Sequence, residues 1–296
     1  MKALLLSLIA CSCFIAQAQN YYQDFSNAFE QADTAVCEAV LREWEQVASP
    51  SAEYYTSAFN FHYWLAQEEV VQLNYGTPPE NEEVLIISDS LGNPVGFMAS
   101  VLQYDEQHLE QAFAIIDDGI ERFPNRLDMH FGKIYLLGEL QVWEPFTGAI
   151  LNCLDQSEKN DMLWAWTLNE PAEISKDDFL GSIQEYQASL YFTGEDSLLP
   201  NIVKISEKVL NIYPGHLESI SNLGAVMMLN EQPKEALKYL KKAEKINEAD
   251  PVVLSNIAYT YIMLKDYKKA KKYYKKVLKY GSEEDKAFAQ SQLEQL

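Results

Sequence analysis

The side chains that most often carry catalysis or bind metals are few in this sequence and lie far apart. Its four histidines are His62, His108, His130 and His216, and none belongs to a His-Glu-x-x-His motif, which would put two zinc-binding imidazoles on one helix face. The sequence also lacks a Cys-x-x-Cys pair, a Gly-x-Ser-x-Gly nucleophile turn and a glycine-rich phosphate loop. We therefore expect no metal site and no cofactor.

Neighbouring acids are the remaining candidates for chemistry, and they occur at Glu68-Glu69, Asp117-Asp118 and Asp177-Asp178. An acid/base pair needs two carboxyl groups at a set separation across a cleft. In a chain with 44 acidic and 23 basic residues, such pairs are usually solvated surface. We expect no enzymatic activity, with a hydrolase that uses carboxylates near residues 159–180 kept as an alternative.

The strongest pattern is a repeat of 34 residues in the last third of the chain. Asn222-Leu223-Gly224 recurs as Asn256-Ile257-Ala258, and Ala236 recurs as Ala270. A period of this length is typical of helix pairs that stack because one pair cannot bury its apolar stripe alone. The small residues mark the points where paired helices cross.

The order and spacing of Leu223-Gly224, Ala236, Leu240 and Ala243 resemble the tetratricopeptide repeat family. The resemblance implies a predominantly α-helical fold, a right-handed solenoid of about five helix pairs. It also implies noncatalytic recognition, with a protein or peptide partner held in a concave groove that the first helices line.

Within that register, one groove slot holds Tyr135, Tyr191, Ala225 and Tyr259. Exposed tyrosines would give the rigid contact area typical of binding hot spots, but packing between helix pairs is the alternative. Some relatives grip a carboxylate with groove lysines and asparagines, and serine, alanine and tyrosine fill those slots here. The remaining predicted groove residues are Asp128, Phe131, Glu218, Ser221, Ser255 and Ile262.

The balance of charge differs between the two parts of the chain. Residues 1–200 hold 7 of the 23 basic and 32 of the 44 acidic side chains, whereas residues 201–296 hold 16 lysines and 12 acids. The acidic body would repel nucleic acid and suits a neutral or basic partner. The lysines of residues 268–279 are interpreted as a solvated helix face, with an anionic partner as the alternative.

The N-terminus resembles an export signal. Lys2 precedes an apolar run from Ala3 to Ile15, and Ala16-Gln17-Ala18 offers a small-x-small cleavage site. We expect a periplasmic or secreted protein that starts at Gln19 and does not span a membrane, since no later apolar run approaches the ~20 residues of a span. A lipoprotein anchored at Cys11 is the alternative.

Two cysteines, Cys37 and Cys153, lie beyond the predicted signal. Two cysteines are not a disulfide framework, and Cys153 falls in a small-residue slot of a repeat. Whether the two are bridged is left open.

The remaining segments complete the predicted organisation. The insert at 159–180 carries Trp164 and Trp166, which together with Trp143 would form a lid or a stacking platform for a glycan or small molecule, or would cover core. A β-hairpin is predicted at 83–99, packed on the helices or paired with another chain. The predicted segments are a signal peptide (1–18), an N-terminal helix (19–50), a first helix pair that contains the hairpin (51–126), a second pair (127–158), the inserted loop (159–180), a three-pair region (181–281) and a capping helix (282–296). The first helix of the first pair is predicted to run from Ala52 to about Leu73. In the second pair, Phe146 falls in a slot that is normally small, and Ser282-Glu283-Glu284-Asp285 resembles a capping box at the start of the last helix.

Overall fold

The structure is a computed structural model that describes residues 20–47, 51–76 and 84–296. The predicted signal peptide, with Cys11, lies outside the described residues. The chain divides into two compact units. The N-terminal unit comprises residues up to Met129 together with Ala165–Pro171, and the C-terminal unit comprises His130–Trp164 and Ala172–Leu296.

The N-terminal unit begins with two helices where the sequence predicted one. Helix α1 covers residues 20–30 and α2 covers Thr34–Glu45. The apolar stripe continues at helical spacing across the break, which is why the pattern predicted a single helix. The break arises because Ala32 adopts a left-handed backbone, φ 53°, and the Asp33 carboxylate caps α2 by accepting from the Val36 N–H at 3.1 Å.

Helices α3 (Ala52–Ala66) and α4 (Glu106–Arg122) form the first packed helix pair. Their crossing requires a glycine, because a Cβ at Gly119 would come within 2.8 Å of the Tyr55 Cβ. Aromatic side chains of α1, α2 and α3, including Phe25, Trp44 and Phe61, build the adjoining core. The prediction that the first pair is interrupted by a β-structure is therefore confirmed in outline.

The inserted β-structure has three strands, one more than predicted. The strands are β1 (Gln67–Tyr75), β2 (Leu85–Ser88) and β3 (Pro94–Tyr104), antiparallel in the order β1-β3-β2. Residues 67–73 were predicted to continue α3, but α3 ends at Ala66. Val70 and Val71 are β-branched, and Val71, Leu73 and Tyr75 alternate with the polar residues Gln72 and Asn74, a pattern that favours a strand.

The irregular stretch around Leu168 is anchored by a buried ion network in the N-terminal unit. Arg126 donates to Glu53 at 2.7 Å and to both carboxylate oxygens of Asp128, at 2.7 and 2.9 Å. The same Glu53 oxygen accepts from the Leu168 N–H at 2.8 Å. Leu168 and Asn169 both have left-handed backbones, φ 60° and 56°, so the network holds a strained turn in place.

The C-terminal unit consists of successive helix pairs followed by a cap, as predicted. The predicted loop at 159–180 is shorter in the structure, because Ser175 caps a helix that starts at Lys176. The predicted capping box on the last helix is confirmed at Ser282 and Asp285. The helices are α5 (Leu127–Glu139, whose first turn belongs to the N-terminal unit), α6 (Trp143–Lys159), α7 (Lys176–Phe192), α8 (Leu199–Ile212), α9 (Leu217–Leu229), α10 (Pro233–Ile246), α11 (Pro251–Met263), α12 (Tyr267–Tyr280) and α13 (Glu283–Gln295).

Cys37 and Cys153 are both buried and free. Burial raises the pKa of each thiol, with the charge of Asp33 adding to the effect at Cys37. Buried thiols of this kind pack as small apolar groups.

Candidate functional site

A cavity of about 300 Å³ lies among α7, α9 and α11 of the C-terminal unit. These are first helices of successive pairs, so the cavity occupies the surface that the repeat register assigned to the groove. We call it the amide groove, because four amide side chains, those of Gln184, Gln187, Asn222 and Asn256, are among its lining. Its described lining comprises Gln184, Gln187, Ala188, Tyr191, Ile202, Ser221, Asn222, Ala225, Val226, Met228, Val252 and Asn256.

The amide side chains are positioned by hydrogen bonds between helices. Asn222 on α9 donates to the Gln184 carbonyl on α7 at 2.7 Å. Gln187 is buried and donates to the Ile202 carbonyl at 2.9 Å and to the Ser206 hydroxyl at 2.7 Å. These hydrogen bonds link α7 to α8 and to α9 at the amide groove.

Asn256 continues this row on α11, because it lies 34 residues after Asn222. A primary amide carries two N–H donors and an acceptor oxygen, the same groups that a peptide backbone presents. A row of such side chains can therefore pair with the main chain of an extended ligand, whatever the ligand's sequence.

The described residues that line the amide groove carry no formal charge. This neutrality is notable in a chain with 44 acidic and 23 basic side chains. Since an unpaired charge that loses its water on binding is costly, a neutral groove of this kind disfavours a charged occupant.

The three predicted groove tyrosines are half-exposed. The exposed fractions are 51% for Tyr135, 50% for Tyr191 and 50% for Tyr259. Side chains packed between helix pairs would be covered, so these rings present contact area to solvent. Of the three, Tyr191 lines the amide groove, while Tyr135 and Tyr259 lie outside its lining.

Of the predicted groove residues Ser221, Ser255 and Ile262, one lines the amide groove and two lie outside its lining. Ser221 lines the amide groove and is almost fully buried, whereas Ser255 is half-buried and outside the lining. Ile262 packs against the core of the last helix pairs. The role of the predicted groove residues as partner contacts stays a prediction.

Three other predicted groove residues already have protein partners. Phe131 stacks on Phe179, with ring centroids 6.1 Å apart. The Asp128 carboxylate is held by Arg126, and Glu218 lies 3.1 Å from His216 Nε2. In this structure these side chains serve the fold of their own units.

Glu218 and His216 lie at a second cavity of about 730 Å³ beside the α8–α9 turn. Burial lowers the pKa of His216, against the opposing charges of Glu218 and Asp177. Its Nδ1 lies 2.9 Å from the Ser219 hydroxyl at the start of α9. His216 Nδ1 also accepts from the Ser219 N–H at 3.4 Å, so His216 caps the N-terminus of α9.

The tryptophans do not form one exposed platform. Trp164 is buried and stacks on Phe179, with centroids 6.0 Å apart, so its ring offers no open face to a ligand. Trp143 is half-buried against Phe146. Only Trp166 is exposed among these three rings, and the core-covering role is the one that Trp164 has.

Sequence reasoning missed the groove's most distinctive members, Gln184, Gln187 and Asn256. The signal was present, because Asn222 and Asn256 are equivalent in the repeat. We interpreted Asn222 and Asn256 only as markers of the repeat and did not predict that both residues line the groove.

Among the described residues, no group of three or more His, Cys, Asp or Glu side chains is arranged to hold a metal ion. None of the helices in the described ranges combines the length and apolar character needed to cross a bilayer.

Comparison with known proteins agrees with the repeat pattern. The tetratricopeptide repeat family model matches residues 227–292, which run from α9 through α13. The C-terminal helices in this stretch are therefore similar to tetratricopeptide repeats.

Some solved structures resemble parts of this chain. PilF of Pseudomonas aeruginosa is 17% identical, with 60% of this chain and 71% of that chain covered and a TM-score of 0.39. YrrB, described as a TPR protein with an unusual peptide-binding site, is 13% identical, with 62% and 84% covered and a TM-score of 0.40. A MamA protein is 14% identical, with 62% and 86% covered and a TM-score of 0.39. No curated protein matches the chain.

Proposed function

We propose that this protein is a non-enzymatic adaptor that holds an extended, uncharged segment of a partner protein in the amide groove. The observation that supports this most directly is the neutral row formed by Gln184, Asn222 and Asn256 on three successive first helices. A tetratricopeptide repeat fold generally serves protein interaction or scaffolding, and the neutral lining of the amide groove supports such a role there.

The groove's shape also favours an extended segment over a compact ligand. Its lining runs across α7, α9 and α11, and Tyr191 borders it on α7. Amide groups pair with the ligand's backbone, while small apolar positions such as Ala188 and Ala225 leave room for its side chains. An exposed tyrosine adds rigid, amphipathic contact area at low entropic cost.

The binding test uses immobilised decapeptide arrays of two kinds, uncharged sequences and sequences with acidic or basic residues. We expect the purified chain to retain uncharged sequences preferentially. Tyr191→Ala combined with Asn256→Ala should weaken that binding at least about tenfold, which corresponds to about 1.4 kcal/mol, because it removes an aromatic contact and a backbone partner.

The matched control is Tyr267→Ala combined with Tyr280→Ala, which removes two exposed tyrosines from α12, outside the groove lining. The control should bind as the wild type does. Equal loss in both double variants, or a preference for charged peptides, would contradict the proposal.

We also propose that the adaptor acts outside the cytoplasm, on the basis of Lys2, the apolar run to Ile15 and the Ala16-Gln17-Ala18 site. Mass spectrometry of protein recovered from the cell envelope tests this. An N-terminus at Gln19 is expected. A lipid-modified N-terminus at Cys11 would support the anchored alternative, and an intact Met1 would contradict export.

A further inference from the structure

The sheet of the N-terminal unit has one apolar face that is open to solvent. Because successive side chains of a strand alternate between faces, the register shows which residues share it. Leu73 on β1 and Leu85 on β2 both pair with Met98 on β3. The three side chains form a row across the whole sheet.

The same face continues on either side of this row. Tyr75 pairs with Gly96, Val71 with Ser100, and Leu102 with Glu69. Ile87, which is half-buried, also pairs with Gly96 and lies on this face. Six further large apolar residues on the face are exposed, and their exposed fractions run from 37% at Met98 to 86% at Tyr75. We call this set the apolar sheet face, and its members are Val71, Leu73, Tyr75, Leu85, Met98 and Leu102.

The opposite face of the same sheet is better covered. Ala99 is buried there, and Val70, Phe97 and Val101 are half-buried, while Ile86 on the edge strand β2 is exposed. In a sheet with one solvated face, the residues that point toward water are normally polar. Here the more exposed face carries the apolar residues. A monomer would gain nothing from these outward apolar side chains.

The exposed area is close to what one partner contributes to a stable interface. The six side chains leave on the order of 700 Å² in contact with water, against about 800 Å² per partner in a standard protein–protein interface. It also exceeds the ~300–600 Å² of the largest patch on a typical monomer. The area is therefore sufficient for a second chain.

Charge indicates which chain can approach. Two copies of a protein with a formal charge of −21 repel each other over most of their surfaces. On the rows that contain the apolar sheet face, the charged side chain is Glu69, beside Leu102 at the end nearer α3. Two copies that meet through this face keep most of their carboxylates in water.

The shape of the apolar sheet face also allows it to pack against the same face of a second copy. Along β3, the small residues Gly96 and Ser100 alternate with the large residues Met98 and Leu102. Stacked sheets pack by interdigitation of such positions at a separation of about 10 Å. A two-fold axis lets the large side chains of each copy occupy the gaps of the other.

We propose that the apolar sheet face is a homodimer interface, in which the sheets of two copies stack face to face. This interface is independent of the amide groove, which lies in the C-terminal unit. Neither proposal requires the other.

The test compares two single substitutions on neighbouring residues of β2. Leu85→Lys places a charge on the apolar sheet face, and Ile86→Lys places the same charge on the opposite face. Both residues are exposed in the structure, so both variants should fold, and circular dichroism confirms this. Sedimentation equilibrium of the purified chain should give a dimer for wild type and Ile86→Lys and a monomer for Leu85→Lys.

The choice of β2 also separates two modes of pairing. A dimer that joined the free edges of β1 would leave Leu85 in water, at the far edge of the sheet, and would tolerate Leu85→Lys. Sodium chloride gives a second readout. Stacking of apolar faces should strengthen with salt, which screens the repulsion between acidic copies.

Three results would overturn the proposal. The first is a wild-type monomer at about 100 µM, above the micromolar Kd at the weak end for interfaces of this size. The second is a dimer that persists in Leu85→Lys. The third is a dimer that dissociates as salt rises, because that behaviour indicates pairing between the acidic and lysine-rich surfaces.

Discussion

Gly224 on α9 lies so close to Leu240 on α10 that a Cβ at position 224 would come within 2.7 Å of the Leu240 Cγ. Real Cβ contacts are longer than this, so the two helices cross at a distance that only glycine permits. The crossing also positions the amide groove, because Asn222 and Ala225, which lie on either side of Gly224 in α9, line that groove.

We therefore expect Gly224→Ala to destabilise the protein, and Gly224→Leu to cost about 1–3 kcal/mol or more through overpacking. Gly181→Ala is the matched control. It replaces a helical glycine with nothing within 4 Å of a new Cβ, and should stabilise by about 0.5–1 kcal/mol because alanine is the better helix former. Urea denaturation followed by circular dichroism measures the free energy of unfolding of each variant. If Gly224→Leu leaves that free energy unchanged, the proposed repeat register is wrong.

The repeat register was predictable from sequence because small residues recur at a fixed period, and Gly224, Ala236 and Ala270 mark real crossings. The register also flagged Phe146 as an anomaly in a small slot. The structure resolves it, since a Cβ at Gly138 would lie 3.1 Å from the Phe146 ring. The large side chain of Phe146 on α6 is accommodated because α5 has a glycine, Gly138, at the contact. A sequence pattern that considers each helix separately does not reveal this compensation.

The parts that sequence did not predict depend on long-range contacts or on competition between local signals. Strand β1 was assigned to α3 because its residues follow an aromatic helix without a breaker, although their β-branched pattern favours a strand. The pairing of Glu53 with Arg126 joins residues 73 positions apart, and nothing in either local sequence indicates it. The amide residues of the groove could be read from the sequence, but the direction in which their side chains point depends on contacts with neighbouring helices.

Arg126 should be the most sensitive charged residue of the N-terminal unit. Burial lowers its pKa, but the carboxylates of Asp128 and Glu53 outweigh that effect and raise it. Arg126→Met would leave Glu53 buried without its cation, and removal of one member of a buried ion pair typically costs about 3–5 kcal/mol.

The control for Arg126 is Arg122→Met, which breaks an exposed i,i+4 pair with Asp118 at 2.8 Å. Exposed pairs of this kind contribute about 0–1 kcal/mol. The two variants remove the same group from neighbouring positions, so guanidinium denaturation compares them directly. Similar losses of stability in both would mean that the buried network does not support the turn at Leu168.

Protonation of His62 should weaken the N-terminal unit as the pH falls. Its Nδ1 lies 3.2 Å from His108 Nδ1, and burial, followed by the charge of His108, lowers the pKa of His62. The unfolded chain then binds a proton more readily than the folded one, so stability decreases below the ordinary histidine pKa of about 6.5. His62 and His108 line a cavity whose other charged groups are Glu38, Arg42 and Glu45 of α2.

Proton NMR of the imidazole Hε1 resonances tests this pair. The His62 midpoint should lie below 6.5 in the wild type and move upward in His108→Gln, which keeps a hydrogen-bonding side chain but removes the second cation. A His62 midpoint that does not respond to the change at His108 would contradict the coupling.

Glu244 should give the C-terminal unit a dependence on pH in the acid range. It joins α10 to α12, because it accepts from Lys241 at 2.8 Å, from Lys276 at 2.7 Å and from the Tyr273 hydroxyl at 3.1 Å. Burial alone would raise the pKa of this carboxyl, but the hydrogen bonds from the two lysines prevail and lower it to about 2.

The sign of the effect follows from that depression. Glu244 contributes its full stabilisation above the ordinary glutamate pKa of about 4.3, and the contribution is lost as the pH falls toward about 2. Glu244→Gln removes the charge at every pH. The urea midpoints of variant and wild type should therefore differ at pH 7 and converge on acidification below pH 4.

Glu235→Gln is the matched control, since Glu235 forms an exposed pair with Lys238 on the same helix. Its urea midpoint should stay close to that of the wild type over the whole range. A constant gap between Glu244→Gln and wild type down to pH 2.5 would mean that the carboxylate's charge does not join the two helices. In that case the lysines of α10 and α12 would be held by their contacts with the Tyr261 and Tyr273 rings.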